Sequence, residues 1–143
     1  MIKFKKLNPN VTTPTQGSEY AAGYDLYACI NEPITIQPCE TVKIGTGVAL
    51  TPPPHTFGAI FARSGLATKR GLRPANCVGV ADEDYTGEYI VALHNDTATP
   101  QTVEPNERIA QLVFIPYVTD VWQEVEELET TERGAGGFGS TGK

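Results

Sequence analysis

Three acidic side chains and a tyrosine, at residues 82–85, lie between two apolar runs of this sequence. The runs, residues 78–80 and 89–93, have strand composition, and Gly87 adds backbone freedom between them, so we predict a β-hairpin with the acids at one end. An ionised aspartate there could orient and partly deprotonate a water molecule. The plainer alternative is a solvent-exposed acidic turn, which is the commoner role of a charge cluster.

Two further polar side chains, Asp25 and Gln111, stand inside predicted strands. Around the first, Tyr24 and Leu26 fall on one face of the strand and Asp25 on the other. Gln111 has apolar neighbours, among which its amide costs free energy unless it is hydrogen-bonded. Two alternatives stay open for each residue: Asp25 is an exposed strand residue or part of a site, and Gln111 serves a backbone partner or a ligand.

A short helix is predicted after Arg63, because Ser64 precedes a helix-forming run and Gly71 follows it, which is a capping pattern. The free N–H groups at the start of a helix attract anions. The alternative is a Ser-capped helix whose basic residues are simply solvated.

The C-terminal residues 133–143 are rich in glycine and cannot bury a core, so we expect them to be mobile without a ligand. Either they are a disordered tail, or Arg133 and Phe138 have a purpose. Glycine backbone N–H groups can surround phosphate oxygens, and an aromatic ring can cover a base.

The rest of the chain reads as short apolar runs separated by proline and polar breaks, which is typical of an all-β domain. Within it we expect residues 94–97 to form a polar turn. Trp122, the single tryptophan, is expected to pack on the core or on a neighbouring subunit.

Composition excludes several classes of function. The 143 residues carry a net charge of −6, which disfavours polymeric nucleic acid as a partner, since that binding needs clustered basic residues. No apolar run is long enough to cross a membrane and no signal peptide is apparent, so we expect a soluble cytoplasmic protein. The three cysteines lack Cys-x-x-Cys spacing, which indicates reduced thiols rather than disulfides or zinc.

Five segments, in order, resemble the five motifs of the trimeric dUTPase family. They are Ala-Gly-Tyr-Asp-Leu at 22–26, Ala-Arg-Ser-Gly-Leu-Ala at 62–67, Gly-Val-Ala-Asp-Glu-Asp-Tyr-Thr-Gly-Glu at 79–88, Glu-Arg-Ile-Ala-Gln-Leu at 107–112 and Arg-Gly-Ala-Gly-Gly-Phe-Gly-Ser-Thr-Gly at 133–142. The chain departs from the usual pattern at Ala62, where proline is common, and at Ala81, where a branched aliphatic residue is usual.

The resemblance implies an all-β fold, a distorted β-barrel or jelly roll with one short helix and a flexible C-terminal tail. Residues 1–129 would form the barrel domain and residues 130–143 a lid. It also implies a homotrimer in which active sites are shared between subunits.

The activity that this resemblance implies is hydrolysis of dUTP to dUMP and pyrophosphate by attack of water on the α-phosphorus. This reaction limits uracil incorporation into DNA and supplies dUMP. Asp82 would be the base, Gln111 would lie by the α-phosphate with Arg108 in a supporting ion pair, and Asp25 would order the water around Mg²⁺. The Mg²⁺ would be held by substrate phosphates and water, with no direct protein ligand.

The resemblance also implies the residues that bind the substrate. The backbone of Asn76, Val78 and Gly79 would read uracil, Tyr85 would pack on the deoxyribose, and Phe138 would stack on the base. The phosphates would be held by Arg63, Ser64, Gly65, Arg133, Gly139, Ser140 and Thr141.

Two rival functions are kept. A dCTP deaminase resembles dUTPases in fold but removes the amine of cytosine. A binding module that uses the nucleotide as a switch for a regulatory protein partner would need no turnover.

Overall fold

The computed structural model describes residues 1–138, in which eleven strands and one seven-residue helix are found. In this part of the chain, no helix has the length and apolar character needed to cross a membrane. The elements in chain order are β1 (Lys3–Lys6), β2 (Thr15–Gln16), β3 (Tyr24–Tyr27), β4 (Ile34–Ile36), β5 (Thr41–Thr51), β6 (Thr56–Phe61), α1 (Ser64–Arg70), β7 (Leu72–Pro74), β8 (Gly79–Ala81), β9 (Glu88–Asn95), β10 (Gln101–Val103) and β11 (Arg108–Pro116).

These strands form three antiparallel sheets. One has the order β1-β5-β9-β7, a second the order β2-β3-β11-β6-β8, and a small third sheet pairs β10 with β4. The described strands remain open sheets packed over one core and do not close into a barrel. The expected all-β, jelly-roll type of fold is therefore confirmed in its open form.

Alternation along the strands explains how the core is built. In β9 the buried residues are Tyr89, Val91 and Leu93, while Ile90 between them is exposed. In β3 the buried Leu26 faces the core, so Asp25 lies on the opposite, outer face, as the period of two predicts. The outer face of the five-stranded sheet is the surface on which the candidate site is found.

The predicted hairpin at residues 78–93 is wrong. β8 pairs with β6 in the five-stranded sheet, whereas β9 pairs with β5 and β7 in the four-stranded sheet. Residues 82–87 therefore cross from one sheet to the other. The alternation of apolar residues identified both strands correctly, but it carries no information about which distant strand each one pairs with.

Three smaller expectations also need correction. The residue at the N-cap of α1 is Arg63, not Ser64, and no side chain caps this end, whereas Gly71 ends the helix in the left-handed conformation as predicted. In the expected polar turn, Asn95 is instead a fully buried residue of β9, whose amide donates to the carbonyl oxygens of Ile36 and Thr99. Trp122 is 99% exposed, so it does not pack on the core of its own chain.

Candidate active site

Asp25 and Gln111 lie side by side on the outer face of the five-stranded sheet. Gln111 of β11 is the register partner of Asp25 on one side and of Phe61 on the other. Because register partners in an antiparallel sheet point to the same face, the three side chains form one row across β3, β11 and β6. Arg63 is the second residue after β6, so it reaches this same end of the sheet.

Asp25 is the centre of an ion-pair cluster. Its Oδ1 accepts a hydrogen bond of 2.7 Å from Nε of Arg63, and its Oδ2 accepts one of 3.3 Å from a terminal nitrogen of Arg108. The Asp25 side chain is only 13% exposed. Such charge-assisted bonds are stronger than neutral ones, so the Arg63 guanidinium is held in a defined position at the edge of the sheet.

Gln111 has a backbone partner in this structure. Its Nε2 donates a hydrogen bond of 2.9 Å to the carbonyl oxygen of Ala62, immediately before Arg63. On its other side the amide lies against Gly23, where an added Cβ would be only 2.9 Å from Gln111 Oε1. Gly23 therefore makes the room that the Gln111 amide occupies, a function that we did not foresee from the sequence.

Ser64 and Gly65 are the first two residues of α1, and both are exposed beside Arg63. A Cβ added at Gly65 would meet no other atom within 4 Å. The surface beside the row of Asp25 and Gln111 is thus lined by Arg63, Ser64 and Gly65. Together these five residues form one contiguous polar area. We refer to them as the cluster around Asp25.

Asp82 and Tyr85 belong to the turn that leaves β8. The turn is closed by a hydrogen bond of 3.1 Å from the Tyr85 N–H to the Asp82 carbonyl, and the Tyr85 hydroxyl donates to the Glu88 carbonyl at 2.8 Å. Asp82 is exposed on the wall of a concave surface with a volume of about 710 Å³. The other residues that line this surface are Thr51, Phe57, Val80, Glu83, Asp84 and Tyr117.

The structure does not bring Asp82 to the cluster around Asp25 within one chain. Ala81 is paired with Gly58, so Asp82 lies near the beginning of β6, whereas the row of Asp25 and Gln111 lies at its end, at Phe61. The offset is about 13 Å along the strands and about 14 Å across three strand spacings. One attacking water molecule cannot contact both carboxylates.

The loop that was expected to read uracil lies at the other end of β8. Gly79 pairs with Ile60, and the preceding Cys77 has a left-handed backbone with φ of 64°. Its N–H donates to the Pro74 carbonyl at 3.0 Å, and the Val78 N–H donates to the Asn76 carbonyl at 2.7 Å. Asn76 is exposed, so the loop is a narrow, tightly turned backbone at the surface.

The described part of the C-terminal segment makes only local contacts at its two candidate residues. Arg133 donates from Nε to the Gly136 carbonyl at 2.9 Å, and the Phe138 ring is fully exposed. The expected phosphate contacts of Gly139, Ser140 and Thr141 lie outside the described residues.

Within residues 1–138, no group of three His, Cys, Asp or Glu side chains is arranged to hold a metal ion. Two groups near Asp82 have shifted pKa values. The hydrogen bond from Tyr117 lowers the pKa of Glu83, and the same bond raises the pKa of Tyr117. Glu83 is therefore a carboxylate and Tyr117 a phenol at neutral pH.

This chain is similar in sequence and in fold to known proteins. The family model of the dUTPase domain matches residues 9–142. A deoxyuridine 5'-triphosphate nucleotidohydrolase of Desulfitobacterium hafniense is 48% identical over 130 residues, which cover 90% of this chain and 86% of the relative. One from Psychrobacter sp. is 44% identical and covers 99% of this chain and 97% of the relative.

Among solved structures, a mutant dUTPase of Staphylococcus bacteriophage 80alpha with dUpNHpp superimposes with a TM-score of 0.90. It shares 29% sequence identity and covers 100% of this chain and 99% of its own. The all-β, jelly-roll type of fold and these relatives together define the class, which is that of the nucleotide hydrolases. The chain belongs to the dUTPase family.

Proposed function

We propose that this protein is a dUTP diphosphatase, which hydrolyses dUTP to dUMP and pyrophosphate. The observation that carries the proposal is the cluster around Asp25, in which a held arginine, an amide and a carboxylate stand together in a chain of the dUTPase family. The names of the relatives given above supply the substrate. An intracellular enzyme of this kind would limit the incorporation of uracil into DNA.

Each residue of the site then has a role in the attack of water on the α-phosphorus. Asp82 orients the water and accepts its proton, while Arg63 and Arg133 stabilise the negative charge that develops on the phosphate oxygens. Ser64, Gly65 and Gln111 hold phosphate oxygens, with Gly139, Ser140 and Thr141 added from the C-terminal segment. Because aspartate is a weak base, most of the barrier reduction asked of this chain falls to the arginines, and Mg²⁺, when bound, would add to the charge stabilisation.

Mg²⁺ fits this site as a companion of the substrate. It prefers water and phosphate oxygens to a full set of protein ligands. When bound, Mg²⁺ would withdraw charge from the triphosphate. Asp25 is the residue that would order its water shell, since this carboxylate lies beside Arg63, to which we assign contact with the phosphates.

Selection of the base and sugar falls to the loop and the turn around β8. The backbone of Asn76, Val78 and Gly79 can offer donors and acceptors to uracil. Tyr85, held by its bond to the Glu88 carbonyl, would pack on the deoxyribose and exclude a 2′-hydroxyl group. Phe138, which is fully exposed, is free to stack on the base.

Because Asp82 and the cluster around Asp25 lie far apart in one chain, we propose a homotrimer with shared active sites. The outer face of the five-stranded sheet carries the half-buried Phe57, Val113 and Ile115 and the 63% exposed Val80. An apolar face of this kind suits contact with a second copy. That contact would bring Asp82 of one subunit to the cluster around Asp25 of another, which a single chain cannot do.

The division of labour along the chain follows. Residues 1–129 would form the folded body, and residues 130–143 would act as a lid that closes on the bound nucleotide. The acidic and apolar residues before the lid, including the exposed Trp122, would find their contacts on a neighbouring subunit.

Complementation between two inactive variants tests this function. Asp82→Asn and Asp25→Asn should each lose dUTP turnover as pure proteins. Mixed, unfolded and refolded together in equal amounts, they should regain about one quarter of the wild-type activity, because about one site in four then receives both intact aspartates. No recovery in verified mixed trimers would contradict the shared site, and ammonia release from dCTP by the wild type would instead indicate a deaminase.

A further inference from the structure

The carboxylate of Glu83 joins three segments of the chain around the turn that carries Asp82. Its Oε2 accepts a hydrogen bond of 3.0 Å from the backbone N–H of His55 and one of 2.7 Å from the hydroxyl of Tyr117. The N–H of Tyr117 in turn donates to the carbonyl oxygen of His55 at 3.3 Å. Glu83, His55 and Tyr117 therefore form a closed set of hydrogen bonds, which we call the Glu83 bridge.

The Glu83 bridge answers an electrostatic difficulty in this turn. Asp82, Glu83 and Asp84 are consecutive acids, and like charges at such short range repel one another. Two donors, the His55 N–H in the β5–β6 connection and the Tyr117 hydroxyl, stabilise the Glu83 charge against this repulsion. The lowered pKa of Glu83 agrees with a carboxylate stabilised in this way.

The bridge also limits how the Asp82 turn can move. Tyr117 directly follows β11 and His55 directly precedes β6, so both partners sit at the ends of paired strands of one sheet. The turn itself is fastened by the bond from the Tyr85 N–H to the Asp82 carbonyl. Asp82 is therefore held at its own carbonyl and through the adjacent Glu83, and Tyr117 shares the wall of the concave surface with it.

We propose that Glu83 and Tyr117 are positioning residues, which hold the Asp82 carboxylate in the orientation that water attack requires. The inference rests on the proposed function, in which Asp82 is the base. The proposed function assigns neither residue to substrate binding, so their loss should slow the chemical step and leave substrate binding nearly unchanged.

Tyr117→Phe removes only the hydroxyl, and Glu83→Gln keeps the shape but removes the charge. We expect kcat to fall about threefold to tenfold in each variant, with KM within about twofold of the wild type. The double variant should be no slower than Glu83→Gln alone, because both changes break the same contact, the one between Tyr117 and Glu83. Matched controls are Tyr20→Phe, at an exposed tyrosine, and Glu32→Gln, at an exposed glutamate, both of which should keep wild-type kcat.

Amide hydrogen exchange at Tyr85 provides a readout that does not depend on catalysis. We expect exchange of this N–H to accelerate about threefold or more in Tyr117→Phe and to stay unchanged in the two controls. Wild-type kcat in Tyr117→Phe, multiplicative losses in the double variant, or unchanged exchange at Tyr85 would each overturn the proposal. Absence of dUTP turnover in the wild type would instead refute the proposed function, and the exchange measurement would still test whether the bridge holds the turn.

Discussion

Asp25 and Arg63 are joined by a hydrogen bond of 2.7 Å, although 38 positions separate them in the sequence. The bond connects β3 with the second residue after β6, across the intervening strand β11. Since Arg108 also donates to Asp25, one carboxylate balances two guanidinium groups. Asp25, Arg63 and Arg108 together carry a net positive charge, which suits the binding of a triphosphate.

Asp25→Asn should disturb both stability and turnover. The amide cannot balance two arginines, so we expect a loss of about 1–2 kcal/mol in the free energy of unfolding. Turnover of dUTP should fall by about two orders of magnitude, since Arg63 loses its fixed position. Urea unfolding and pyrophosphate release measure the two effects.

The matched control for that variant is Asp120→Asn, at an exposed aspartate after β11. It should change neither quantity. Wild-type turnover in Asp25→Asn would remove Asp25 from the site.

Gly23→Ala should displace the amide of Gln111 without unfolding the protein. The new Cβ would lie 2.9 Å from Gln111 Oε1, so the amide must shift and loosen its bond to the Ala62 carbonyl. We expect kcat/KM for dUTP to fall about tenfold. Gly17→Ala, where an added Cβ meets nothing within 4 Å, should behave as the wild type. Equal kinetics for both alanine variants would show that the position of Gln111 is unimportant.

Removal of residues 133–143 should abolish turnover and preserve the fold. Among the described residues, the Arg133 side chain donates only to the Gly136 carbonyl. The truncation therefore breaks no hydrogen bond between this side chain and the sheets. We expect the melting temperature to stay within about 2 °C and kcat/KM to fall at least about a hundredfold. Full activity of the truncated chain would end the proposal that this segment is a lid.

Tyr89→Phe should stabilise the protein. The Tyr89 hydroxyl is buried and has no hydrogen-bond partner among the described residues, so its removal should raise the free energy of unfolding by about 1 kcal/mol at pH 8. Tyr20→Phe, at an exposed ring, is the control and should have no effect. A destabilised Tyr89→Phe protein would indicate that the hydroxyl is hydrogen-bonded after all.

The same tyrosine predicts that the stability of the folded protein falls at alkaline pH. Burial raises the pKa of Tyr89 from 10.0 to about 12, so the unfolded chain loses this proton before the folded chain does. The stability linked to Tyr89 is fully present below pH 10 and is lost as the pH rises toward 12. Denaturant unfolding at several pH values should show a smaller alkaline loss in Tyr89→Phe than in the wild type, and parallel losses in both proteins would contradict this account.

The sequence was most informative where the determinants of structure are local. The faces of Leu26 and Asp25 follow from the alternation of a strand, and Gly71 ends the helix because the left-handed conformation suits glycine. Five spaced motifs also identified the family, since each contains residues that share one chemical purpose.

Apart from the N-cap of α1, the main failures have one physical origin, which is pairing between distant segments. The hairpin expected after β8 does not exist because β8 finds its partner in β6 and β9 finds its own in another sheet. Gly23 and Tyr117 were missed for the same reason, since each acts on a side chain that only the folded sheet brings near. The composition of a segment does not contain that information.

Asp82 lies near the beginning of β6, and the row that contains Asp25 lies at its end. This separation has a consequence for how the protein would behave at low concentration. If catalysis needs both ends of the sheet to meet across copies, a solitary molecule carries two halves that never join. Specific activity should then decline steeply on dilution below the dissociation constant of the assembly and return on reconcentration. Expression level would set not only the amount of enzyme but also the fraction that works.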